Sequence, residues 1–339
     1  MADIPLSFAA GSTARLQPLL DGAVRPEGIA LQSSVIGVSD IFWLMPRSEP
    51  YDVAEMSLTG YLWAIQHGRR WLGLPVFPGW VFACHADSLV NASAGIARPE
   101  DLKGKRVGVP EYPVTAIAWI RDAWEQDAGL RRDDFTWYEE RTPQASHYRP
   151  LGYQPPAQVP VQQVPEDTCI ADLLIAGELD AATRYFGGPR GKPGAAPPGD
   201  RSPQRIGELG AHPNVRWLYP DRKATALDYH RRQGWPQPIH CVVVKQAIVD
   251  RYPWVPRSLY AAFAEAARRT ADVATVHTSF DFPAAEQREV LGPEFSPVGL
   301  LPGSRDMLAR LLELSAHDGF LVDNRRFTVD ELFPASLLV

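Results

Sequence analysis

The stretch Gly104-Lys-Arg-Val-Gly-Val-Pro-Glu-Tyr-Pro-Val-Thr-Ala-Ile-Ala-Trp-Ile120 constrains this chain most. Arg106 to Val109 is a short β-branched run that reads as a strand. Pro110 ends it, and Pro113 sits where a first helical turn tolerates a missing N–H, so Val114 to Asp127 reads as a helix. Strand, tight turn and helix make half of a βαβ unit. Glu111, Tyr112 and Thr115 stand at the turn, where free backbone N–H groups and a helix dipole favour an anion. Glu111 also has a plain reading there, as dipole compensation in a first helical turn.

The same alternation runs along the rest of the chain. Strands are expected at Ile4–Ala10, Ile29–Val35, Pro75–Phe77, Phe82–Val90, Phe135–Glu139, Leu179–Phe186, Val215–Tyr219 and Ile239–Lys245. Helices are expected at Ala14–Asp21, Leu58–His67, Asp167–Ala176, Asp221–Gly234, Trp254–Val276 and Arg305–His317. Pro143 to Pro165 reads as a long loop, and the Gly- and Pro-rich 187–203 as a mobile or surface-wrapping one. This pattern predicts an α/β protein with mainly parallel sheets. At 339 residues there is material for two cores. We expect residues 1–83 plus 242–339 to form one lobe and 84–241 the other, with ligands in a central cleft at strand ends.

A net charge of -6 offers no basic surface for nucleic acid. Three cysteines, Cys84, Cys169 and Cys241, are no disulfide framework and suit a reducing compartment. Residues 1–20 lack a basic start and an apolar core, and no 18-residue apolar run follows. We therefore expect a cytoplasmic protein with no membrane partner, and self-association into a homo-oligomer stays open. No Gly-x-Gly-x-x-Gly follows a strand and no phosphate loop is present, so no organic cofactor is expected.

Several stretches are similar to one family: Leu19-Leu-Asp-Gly22, Tyr51-Asp-Val-Ala-Glu-Met-Ser-Leu58, Pro75-Val-Phe-Pro78, Gly108-Val-Pro-Glu-Tyr112, Leu291-Gly-Pro-Glu-Phe295 and Phe327-Thr-Val-Asp-Glu-Leu-Phe333. Together they resemble the 4,5-dihydroxyphthalate decarboxylase family, over about residues 5–335. The resemblance implies the type 2 periplasmic binding protein fold, two lobes joined by two crossing strands, an aromatic dicarboxylate substrate and loss of CO2 to give protocatechuate. Arg15, Glu55, Ser57, His85, Glu111, Arg184 and His240 are carried over as matching positions. One span departs: where the family has a Tyr-Asp-Arg-Thr-Arg-type run, this chain has Thr13-Ala-Arg-Leu-Gln17. A pocket missing those polar groups is less suited to two carboxylates and two hydroxyls.

Aromatic decarboxylation without an organic cofactor needs an electron-rich ring and a proton for the ipso carbon. His is the natural acid near neutral pH. His240 and His85 stand on the two expected crossing strands, and we expect His240, assisted by His85, to carry the chemistry. Glu111 would accept a phenolic proton or hold a His tautomer. Arg15 and Arg184 would anchor carboxylates bidentately, with Glu55, Ser57, Tyr112, Thr115 and Tyr185 completing the substrate contacts. A divalent metal held by His85, His240 and Glu111 is a second reading, with no ligand-spacing motif behind it. A substrate-binding protein of an ABC-type transporter, or a sensor for a small aromatic or carboxylate anion, would use the same fold and the same arginines.

Overall fold

The computed structural model describes residues 3–183, 206–273, 276–292 and 295–337. The chain divides into two compact units, one made of 1–81, 234–313 and 321–339, the other of 82–233 and 314–320.

The first unit is built on a five-stranded sheet with the order Ile29–Val35, Ile4–Ala10, Val53–Ser57, His240–Lys245 and Trp71–Leu74. The first three strands are parallel, as βαβ connections require, and His240–Lys245 enters antiparallel between Val53–Ser57 and Trp71–Leu74. All five residues of Val53–Ser57 are buried, so the strand reads apolar throughout except for Glu55 and Ser57. Phe8, Val53, Leu74, Val242, Val244, Leu259 and Phe263 make the core between this sheet and the helix Val255–Arg269. That helix is amphipathic, with Val255, Leu259, Ala262, Phe263 and Ala266 at helical spacing on its buried face.

The second unit carries a six-stranded sheet ordered Val215–Trp217, Leu89–Asn91, Ala181–Ala182, Arg106–Val109, Thr136–Glu139 and Val161–Gln163. Arg106–Val109 runs parallel to both of its neighbours. The helix Thr115–Ala128 follows it and stops at Gly129, whose φ of 64° suits a residue without a side chain. The expected strand–turn–helix unit is present. Ile170, Leu174, Leu179, Val164 and Leu209 form a core cluster under this sheet.

Four local expectations differ from what is observed. Phe82–Val90 is not one strand: Cys84–Asp87 is a 3-10 turn, and only Leu89–Asn91 pairs in the sheet. Its run of buried residues comes from packing on every side and not from strand alternation. Pro75–Phe77 is not a sheet strand, since Trp71–Leu74 takes that place and Val76 makes only an isolated bridge to Val298. The loop 143–165 contains the edge strand Val161–Gln163, paired with Thr136–Glu139. Finally, His240 and Cys241 belong to the first unit and not to a lobe 84–241, because the return falls at Gly234 and His240 pairs opposite Ser57. Residues 187–203 and the end of the expected strand Leu179–Phe186 lie outside the described residues. No described helix is long and apolar enough to cross a membrane.

Candidate active site

In the first unit, strand register brings two of the expected residues together. Glu55 stands opposite Val242 and His240 opposite Ser57 in the antiparallel pair. Glu55 and His240 are therefore diagonal neighbours on one face, within reach of long side chains. His240 Nδ1 lies 2.7 Å from Glu55 Oε1, and the other carboxylate oxygen, Oε2, accepts the Gly11 N–H at 2.9 Å. Glu55 is 1% exposed and is held from both sides. A carboxylate accepts, so Nδ1 carries the hydrogen and Nε2 is the nitrogen left for chemistry. Nε2 has no hydrogen-bond partner among the described residues, and the side chain keeps 15% of its surface accessible.

Packing fixes the plane of the imidazole. Phe42 meets it edge-on, with centroids 4.9 Å apart at 78°. On another side Gly79 approaches so closely that a Cβ there would lie 2.6 Å from Nδ1 and 2.8 Å from Cγ. Glycine at 79 is thus a consequence of the ring's position. The Ser57 hydroxyl accepts the Gly60 N–H at 3.0 Å as the N-cap of Leu58–Gln66.

Arg15 is 6% exposed, yet among the described residues it faces no carboxylate. Its NH1 is 3.5 Å from the Pro78 carbonyl, its Cζ lies 5.8 Å from the centre of the Phe295 ring, and its Nε has no hydrogen-bond partner among the described residues. Burial pushes the guanidinium down to about 10, which leaves it charged at neutral pH. Arg15 meets Pro78 and His240 meets Gly79, which are consecutive in the chain.

The second unit places its candidates differently. His85 lies in the 3-10 turn, fully buried, against the rings of Tyr229 at 4.8 Å and Tyr219 at 5.3 Å. Neither ring nitrogen has a hydrogen bond among the described residues, and the Asp127 carboxylate is 3.8 Å away. Burial first, then the Arg232 charge, pushes its pKa down to about 3. A neutral, enclosed imidazole is no proton donor of the kind expected for it. Tyr112 is a core residue: its ring lies 4.0 Å beneath the Arg121 guanidinium, and burial pushes the phenol up to about 12. Thr115 is buried at the first position of the helix Thr115–Ala128. Arg184 and Tyr185 lie outside the described residues.

Glu111 is spent inside a network that the sequence reading missed. Ser146 Oγ donates to its Oε1, His147 N–H to its Oε2 at 3.1 Å, and Arg141 NH1 is 3.6 Å from Oε2. Beside it, Glu139 accepts the Tyr112 N–H at 2.8 Å and Arg149 NH2 at 3.1 Å. Burial raises both carboxyls; Glu139, which also feels Glu111, is pushed up to about 7. The signal was there in Glu139-Glu140-Arg141, three charged residues closing an apolar strand. Among the described residues, no group of three or more His, Cys, Asp or Glu is arranged to hold a metal ion.

The fold and its site define a class. The aliphatic sulphonate binding protein SsuA of Escherichia coli matches 100% of this chain and 99% of its own, with a TM-score of 0.56 at 12% identity. A sulfonate-binding SsuA of Methylobacillus flagellatus covers 100% and 94% with a TM-score of 0.57 at 11% identity. The desulfurization enzyme DSZB covers 98% and 97% with a TM-score of 0.51 at 15% identity. The chain has the mixed α/β fold of the type 2 periplasmic binding proteins, which on its own serves both binding proteins and enzymes.

No protein-family model matches the chain. A 4,5-dihydroxyphthalate decarboxylase of Comamonas testosteroni is 31% identical over 347 residues, covering 99% of this chain and 98% of that one. A second, of Pseudomonas putida, is 33% identical over 242 residues, covering 71% and 87%. This chain belongs to the 4,5-dihydroxyphthalate decarboxylase family, and it is a carboxy-lyase.

Proposed function

We propose that this enzyme removes CO2 from a hydroxylated aromatic carboxylate of the 4,5-dihydroxyphthalate class, without an organic cofactor, and that His240 delivers the proton. The observation that carries this reading is the Glu55–His240 pair, anchored from behind by the Gly11 N–H. A ring hydroxyl ortho or para to the leaving carboxylate supplies electron density to the ipso carbon. Imidazolium at His240 donates its Nε2 proton there, and the C–C electron pair returns to the ring as CO2 leaves. His240 is then neutral and regains its proton from water, so one proton is taken up for each CO2 released. Glu55 accepts the Nδ1 hydrogen and so holds the ring's orientation, with Nε2 toward the substrate. Arg15, charged and without a carboxylate partner among the described residues, is the group to grip a substrate carboxylate.

The test is incubation of the purified protein in D2O with a panel of hydroxylated benzoates and phthalates. The expected result is CO2 release together with one deuterium at the vacated ring carbon. Absence of CO2 from every member would overturn the reading and favour a binding protein for the same anions.

A further inference from the structure

Within the first unit, the helix Val255–Arg269 and residues 287–292 and 295–298 border a cavity of about 660 Å³. That volume lies in the range of small-molecule sites, which are mainly apolar with a few placed polar groups. Ala264, Ala267, Leu291, Phe295, Pro297 and Val298 supply its apolar walls, and Arg15 lines it as well. Two further arginines border the cavity, but both are exposed and engaged. Arg268 holds Glu265 with two contacts of 2.8 Å, and Arg288 donates to the Asp272 carbonyl.

Arg15 is the exception. It is more than nine-tenths buried, its Nε lacks a hydrogen-bond partner among the described residues, and the Pro78 carbonyl at 3.5 Å is a marginal contact. Taking a charge out of water without a partner is costly, so a cation kept in this condition is suited to receive an anion. His240 and Glu55 do not line the cavity, so a ligand filling it does not sit at the proton donor.

We infer that this cavity is a binding site for an aromatic monocarboxylate, with the carboxylate on Arg15 and the ring among the alanines and Phe295. One planar guanidinium pairs one carboxylate through two parallel hydrogen bonds. A second carboxylate finds no unengaged buried cation among the described lining residues. It meets instead the exposed acids Asp272 and Glu289, which border the same cavity. The site therefore prefers a monocarboxylate to a dicarboxylate. That is the charge difference between product and substrate when an aromatic dicarboxylate loses CO2. Because the ligand takes Arg15, its binding competes with any substrate that uses the same guanidinium.

The experiment is titration calorimetry of the purified chain with benzoate, phthalate and benzyl alcohol as probes. Benzoate should bind one to one, with phthalate and benzyl alcohol each at least about tenfold weaker. Arg15→Gln should lose about ten- to a hundredfold in benzoate affinity, the usual range for a hydrogen bond to a charged group. Ala267→Leu and Ala264→Leu each fill the cavity while keeping a good helix former. Each should weaken benzoate at least about tenfold with an unchanged melting temperature, and either suffices if the other fails to fold. His240→Gln should bind benzoate as the wild type does. The inference is overturned if benzoate does not bind, if phthalate binds as tightly, if a folded cavity-filling variant keeps full affinity, or if His240→Gln loses as much as Arg15→Gln. The readout is binding and not turnover, so a chain that releases no CO2 still tests it. A chain that decarboxylates normally, as do Ala267→Leu and Ala264→Leu, and yet does not bind benzoate refutes this inference alone.

Discussion

Replacing Gly79 by Ala puts a methyl group where the imidazole of His240 already stands. The added Cβ would lie 2.6 Å from His240 Nδ1, 2.8 Å from its Cγ and 3.0 Å from Ile239 Cγ1. Gly79 has an ordinary negative φ, so Ala adopts its backbone freely and the effect is steric alone. To regain a contact near 3.4 Å the ring must retreat by roughly 0.8 Å. The bond it must keep, Nδ1 to Glu55 Oε1, is 2.7 Å, and such a shift strains it to the edge of hydrogen bonding. A misplacement of about 1 Å in a catalytic group costs on the order of 10²-fold in rate, while overpacking costs about 1–3 kcal/mol in stability. We therefore expect Gly79→Ala to lower kcat about a hundredfold while its melting temperature falls by only a few degrees. Gly73→Ala is the control. Its Cβ would clash as tightly, at 2.6 Å from the Leu332 carbonyl and 2.8 Å from Phe333, but not with His240. It should lose stability without a comparable loss of kcat. The assay is CO2 release on the best substrate of the panel, with a thermal melt of each variant. Gly79→Ala at near-normal kcat, or both variants losing kcat equally, would refute the placement of His240.

Glu55→Gln keeps the shape of the side chain but replaces the carboxylate that accepts the His240 Nδ1 hydrogen by a neutral amide. A charge-assisted hydrogen bond is worth about 1.5–3 kcal/mol, so kcat should fall about ten- to a hundredfold with KM little changed; an unaltered kcat would leave Glu55 a purely structural residue. His85→Phe tests the enclosed imidazole of the second unit and should keep decarboxylation within a few-fold. The native value of about 3 lies below the ordinary 6.5, so the unfolded chain binds this proton first. Stability is then full above about pH 6.5 and is lost as pH falls toward 3. His85→Phe should flatten that limb of a melting-temperature profile, and a variant as acid-sensitive as the wild type would contradict the burial argument.

What could be read from the chain was local. Ile4–Ala10, Ile29–Val35 and Arg106–Val109 appear at their expected bounds, because short runs with apolar residues, each followed within two residues by Gly or Pro, leave little room for another element. The contact that matters most joins Glu55 to His240 across 185 positions, and only the strand register creates it. Both residues were named as candidates, but their partnership was not visible. His85 misled because Cys84-His85 sits in an apolar run that resembles a strand; burial from every side produces the same letters as a sheet interior. The network of Glu111, Glu139, Arg141 and Ser146 was hidden for the opposite reason. Ser146 and His147 stand in the Pro- and Gln-rich stretch that reads as a long loop, whereas here they close on Glu111 in the interior.

The proposed chemistry turns on His240 supplying the ring proton. The direct measurement is the rate of CO2 release by His240→Gln beside the wild type, on the same substrate and with both proteins shown folded by thermal melt. General acid catalysis contributes typically about 10²–10⁴ in rate, so the variant should be slower by at least the lower figure while its KM stays near that of the wild type. A folded His240→Gln that releases CO2 at the wild-type rate would contradict the claim and leave His240 as a packing residue beside Phe42 and Gly79.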